Sequence, residues 1–62
     1  MGKVLIIDDE KDIRKLIGRF LGKLGYDSDE AANGLIGAEM YKNSLYDFVI
    51  MDIINVRRYS GK

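Results

Sequence analysis

Two apolar runs punctuate this chain, and each ends in acid. Val4-Leu5-Ile6-Ile7 leads into Asp8 and Asp9, and Phe48-Val49-Ile50-Met51 leads into Asp52. Neither run alternates, which is the pattern of strands buried on both faces in a parallel sheet. The first predicts a strand over 3–7 and the second a strand over 46–52. Between them the apolar period changes. Ile13, Leu16, Ile17, Phe20 and Leu24 recur at helical spacing and predict a helix over 10–24 with one apolar stripe. Asp9 is placed to cap it, Asp12 takes the capping-box position, and Gly25 is the residue to end it. Gly18 and Gly22 fall off the stripe and read as surface positions, each costing about 1 kcal/mol against alanine. Residues 26–31 make a polar, weak strand in which only Tyr26 and Ala31 suit a core. Its acids and Ser28 fit an exposed edge that must not pair further. Asn33-Gly34 turns into a second helix over 34–44 with Gly34, Ala38, Tyr41 and Leu45 on one face. Ile36 and Met40 project elsewhere, either as scattered surface residues or as a second contact surface.

The order strand, helix, strand, helix, strand with right-handed crossovers predicts an α/β fold. Its parallel sheet has the order 2-1-3, because the two apolar strands belong inside and the polar one at the edge. The connection reverses between the two crossovers, so one helix covers each face. Ligands of such sheets bind beyond the carboxyl ends of the strands at the switch point. Asp8, Asp9 and Asp52 are expected to meet there. Like charges brought together repel unless a cation lies between them, and hard oxygen ligands suit Mg²⁺ before Ca²⁺. The plainer alternative is that Asp8 or Asp9 caps a helix and Asp52 belongs to a turn.

Composition narrows the choice. The 62 residues carry ten basic and ten acidic side chains, no cysteine and no histidine. A disulfide, a thiolate or imidazole metal site and a histidine base are thereby excluded. The balanced charge gives no reason to expect nucleic acid or a membrane surface as partner. Arg57, Arg58 and Lys62 read as a solvated basic end. With no leader and no long apolar run, a cytoplasmic location is expected. Residues 1–62 are read as one domain, with strands and helices over 3–52 and a divergent tail over 53–62.

Three stretches resemble a known family. Lys-Val-Leu-Ile-Ile-Asp-Asp-Glu at 3–10, Leu-Gly-Tyr-Asp at 24–27 with Ala-Ala-Asn-Gly at 31–34, and Tyr-Asp-Phe-Val-Ile-Met-Asp-Ile at 46–53 are similar to receiver domains of two-component response regulators. The resemblance implies half of a flavodoxin-like doubly wound fold. It implies that Asp52 accepts a phosphoryl group from a histidine kinase or a small acyl-phosphate donor. It also implies that Mg²⁺ is held by Asp9, by Asp8 close by, by Asp52 and by the main-chain carbonyl of Ile54. A receiver is a signalling module rather than an independent enzyme. The departures are as specific. A receiver is about twice as long and carries a hydroxyl residue and a lysine at the ends of two further strands, and neither has a matching position here. The usual methionine-proline turn is replaced by Asn55-Val56, and Ser28 and Asp29 stand where apolar residues are usual.

The chain therefore reads as the first half of a receiver with a replaced ending, its signalling switch lost. An apolar third strand at the edge of a sheet is a template for pairing. A two-fold homodimer through that strand, with sheet order 2-1-3-3′-1′-2′, is the simplest remedy. The competing reading is a truncated or engineered self-associating structural fragment with no signalling activity.

Overall fold

The computed structural model describes residues 2–51. The elements run β1 (Lys3–Ile7), α1 (Lys11–Lys23), β2 (Asp27–Ala31), α2 (Gly34–Asn43) and β3 (Phe48–Met51). The sheet has the order β2-β1-β3, and both pairings are parallel. The expected α/β architecture is observed. The strand expected over 46–52 is described up to Met51, and the tail 53–62 lies outside the described residues.

β1 is central because it can be buried on both faces. Val4, Leu5, Ile6 and Ile7 are all buried. Strand pleating sends Val4, Ile6, Ser28, Phe48 and Ile50 to one face, and Leu5, Ile7, Asp29, Ala31, Val49 and Met51 to the other. α1 covers the first face: a Cβ on Gly18 would stand 3.3 Å from the Ser28 hydroxyl and 3.9 Å from Ile6. α2 covers the second, with Gly37 against Ile7 and Ala31. Leu5, Ile7 and Ala31 form the core cluster, and Met40 and Tyr46 pack against it.

Both helices meet the sheet along a different line from the one their apolar residues mark. On α1 the half-buried positions are Arg14, Ile17, Gly18 and Leu21, while Ile13, Leu16, Phe20 and Leu24 are exposed. Gly18, expected on the surface, is the point of close approach to β2. On α2 the contact runs through Gly37 and Met40, and Leu45 is almost fully exposed. Met40, expected to project away from the main contact face, is half-buried and packs against the core, while Ile36 remains exposed.

The helix ends follow local chemistry. Gly25 adopts φ 92°, the left-handed region open to glycine. The Gly25 N–H bonds the Gly22 carbonyl and the Tyr26 N–H bonds the Leu21 carbonyl, a Schellman closure of α1. Asn33 caps α2 by accepting the Ile36 N–H at 2.9 Å. At the start of α1 the expectation is corrected. The N-cap position is Glu10 with no side-chain cap bond, so Asp9 is not the N-cap and Asp12 completes no capping box.

Ser28 and Asp29, the polar departures in β2, have separate places. Ser28 lies half-buried beneath Gly18. Asp29 accepts the Tyr46 hydroxyl at 2.6 Å and pairs with Lys3 at 3.6 Å. Lys3 Nζ lies 5.5 Å from the Tyr46 ring centroid, and Tyr41 stacks on that ring at 6.4 Å. The hydrogen bond to Asp29 raises the Tyr46 pKa above 10.0, because the charged acceptor favours the protonated phenol.

Candidate functional site

The site forms where the chain leaves the sheet. Ile7, the last residue of β1, is in register with Ala31 of β2 and Met51 of β3. Asp8 and Asp9 follow Ile7 directly, and Asp52 follows Met51 in the sequence. Asp52 and Ile54 lie outside the described residues.

Asp8 is buried, with 7% of its surface exposed, and its peptide and side chain are both engaged. Its N–H donates to the Ala31 carbonyl at 3.1 Å, continuing the ladder to β2. Its Oδ1 accepts the Glu10 N–H at 2.8 Å. That bond is an aspartate turn two residues long, which carries the chain from the strand into α1. Its carbonyl oxygen accepts from Arg14 Nη1 at 2.7 Å. Arg14 Nε also donates to Glu30 Oε1 at 3.0 Å. One guanidinium thus ties α1 to the ends of β1 and β2. Asp9 is exposed. The two residues therefore differ in burial: Asp8 is sheltered and Asp9 is exposed.

A hard cation asks for oxygen donors, and Mg²⁺ retains several waters beside one or two carboxylates. Asp8 and Asp9 supply donors of that kind. Among the described residues no group of three or more histidine, cysteine, aspartate or glutamate side chains is arranged to hold a metal. The donor chemistry at residues 8–9 thus fits a magnesium site in part.

Reading the sequence did not single out Arg14 or Glu30. Arg14 carried no reading of its own, and Glu30 counted only as part of a polar edge. Their signal was weak: a cation in the first turn of the helix, six positions after Asp8, and an acid one position before the buried Ala31.

An open parallel sheet with acids beyond its central strand defines the class, and sequence comparison gives the family. The model of the response regulator receiver domain matches residues 4–61, so the chain belongs to that family. It is 43% identical over 51 residues to hybrid signal transduction histidine kinase F of Dictyostelium discoideum, covering 82% of this chain and 5% of that protein. It is 40% identical over 52 residues to the chemotaxis protein CheY of Halobacterium salinarum, covering 84% of this chain and 43% of that one. It is 37% identical over 51 residues to sporulation initiation phosphotransferase F of Bacillus subtilis, covering 82% and 41%. The chain spans less than half the length of each of these relatives. Among the described residues no helix is long and apolar enough to cross a membrane.

Proposed function

We propose that this chain is a cytoplasmic receiver-type phosphoacceptor module, one unit over residues 1–62, with Asp52 as the residue modified. The observation that carries the reading is the parallel register of Ile7 with Met51, which sets the ends of β1 and β3 side by side. Asp52 follows Met51 directly in the sequence. The Asp52 carboxylate attacks the phosphorus of a histidine kinase phosphohistidine or a small acyl-phosphate donor. The bond from phosphorus to the donor breaks, and an acyl phosphate forms. Asp8 and Asp9, with Asp52 and the Ile54 carbonyl, would hold Mg²⁺. The ion's role is to offset the charge gathered between carboxylates and phosphoryl oxygens. These 62 residues contain no match to the family's hydroxyl residue or lysine, so phosphorylation of this chain alone gives little conformational response. Acetyl phosphate with Mg²⁺ tests the reading: intact-mass spectrometry shows one added phosphoryl group, absent from Asp52→Asn. Equal labelling of Asp52→Asn refutes it.

A second reading has its own support in β3. Asp47 N–H donates to the Lys3 carbonyl. By the alternation of a parallel ladder, Val49 also faces β1, while the Phe48 and Ile50 peptide groups point away from it. Phe48, Val49 and Met51 are 58%, 43% and 59% exposed. β3 carries no charge or proline to blunt this edge, whereas β2 carries Asp27, Asp29 and Glu30. Such an edge is suited to a homodimer through the third strand, paired antiparallel about a two-fold axis. In that role the chain is a self-associating fragment, whatever the state of Asp52.

A further inference from the structure

Asp8 and Asp9 share one peptide group, and Arg14 holds it. We infer that Arg14 is a positioning residue for the acidic pair, with Glu30 offsetting its charge. The inference rests on the reading of that pair as a divalent-cation site.

The peptide unit is planar, so a partner on its oxygen restrains the whole plane. Only ψ of Asp8 and φ of Asp9 separate that plane from the two side chains. Asp8 is restrained from three directions: by Ala31 at its N–H, by Glu10 at Oδ1 and by Arg14 at its carbonyl. Asp9 is exposed. The plane it shares with Asp8 passes the restraint on. Arg14 thus fixes the plane from which the Asp9 backbone departs, and so narrows the spans that the remaining torsions allow between the two carboxylates.

A guanidinium beside a cation site creates an electrostatic problem, because it stays charged at every working pH. Glu30 answers it at 3.0 Å. The Arg14 side chain is only 14% exposed, so solvent screens this pair less than an ordinary surface pair. The planar fork places Nε on β2 and Nη1 on the end of β1 at once. Lysine keeps the charge but has all its donors on one nitrogen, without the rigid fork that reaches the two acceptors from Nε and Nη1.

Two variants of the full chain test this, Arg14→Lys and Glu30→Gln. Mg²⁺ is titrated while the backbone amide signals of Asp9 and Glu10 are followed, with Mn²⁺ broadening as a second readout. Arg14→Lys should bind Mg²⁺ roughly tenfold more weakly, the scale of losing an outer partner of a metal ligand. Glu30→Gln keeps an acceptor for Nε and uncovers the positive charge. Its deficit should be present at low salt and shrink as salt screens it, while that of Arg14→Lys persists. A purely structural role does not produce that split. Mg²⁺ binding by folded Arg14→Lys equal to wild type overturns the inference. If Arg14→Lys does not fold, Glu30→Gln decides, and unchanged low-salt affinity overturns it. Wild type that shows no response at residues 8–10 in millimolar Mg²⁺ removes the cation reading and this inference together. A wild-type response with unchanged variants removes only the role of Arg14.

Discussion

Gly37 of α2 lies directly against Ile7 of β1: a Cβ built on Gly37 would stand 2.8 Å from Ile7 Cγ1. That contact brings the helix onto the sheet beside the acidic end of β1. It makes glycine a packing requirement, although glycine is a poor helix former.

Gly37→Ala and Gly22→Ala should therefore act in opposite directions. Alanine gains roughly 1 kcal/mol of helix propensity at either position. At Gly22 nothing lies within 4 Å of the new methyl, so the gain is kept and the protein is stabilised by about 0.5–1 kcal/mol. At Gly37 the methyl collides with a buried side chain, and overpacking costs about 1–3 kcal/mol. Urea melts of the two variants measure the difference. Equal stabilisation of both would show that α2 lifts from Ile7 freely.

The Tyr46–Asp29 bond makes stability depend on alkaline pH. The folded pKa of Tyr46 is raised above 10.0, chiefly by the hydrogen bond to Asp29. The protonated phenol is the form the fold favours. Its contribution is fully present below the unfolded value of 10.0 and is lost as pH rises through the folded value. Tyr46→Phe should remove this dependence and cost about 1 kcal/mol near neutrality, a modest value because solvent screens the partly exposed Asp29. Melting from pH 8 to pH 12, both values being about the span around the tyrosine range, checks it. Parallel profiles for wild type and Tyr46→Phe would assign the loss to other groups.

Two prolines distinguish a bare β3 edge from a paired one. Val49→Pro removes a donor from the ladder to β1 and should unfold the protein in either case. Ile50→Pro removes a donor directed away from β1. A monomer with a free edge should tolerate it, as edge strands do. A dimer paired through β3 should dissociate, seen as a fall in mass at sedimentation equilibrium and a melt that no longer depends on concentration. On the other edge Asp27 is no control for proline, because its N–H donates to the Gly2 carbonyl at 3.0 Å, and Ser28 is none either, because it is half-buried beneath α1.

The fold was legible because its signals are local or compositional. Two unbroken apolar runs, a polar strand between them and glycine or asparagine at the helix ends led directly to the order β2-β1-β3. The helix faces were less legible. The stripe Ile13, Leu16, Ile17, Phe20 and Leu24 has clear helical spacing, yet only Ile17 of these lies on the line Arg14, Ile17, Gly18 and Leu21 through which α1 meets the sheet. Periodicity reports where apolar residues fall. Orientation also depends on where two backbones can approach, and glycine carries no hydrophobic signal for that.

The acidic site divides along the same line. The sequence by itself determined that Asp8 and Asp9 follow one apolar strand and Asp52 another, because covalent order is local information. Only the tertiary structure decided that Asp8 is sheltered while Asp9 is exposed, and that Arg14 bonds both the carbonyl between them and Glu30. Those relations join α1, β1 and β2 across 16 positions of sequence between Arg14 and Glu30. They exist only once parallel pairing has brought Ile7 beside Ala31 and α1 has docked through Gly18.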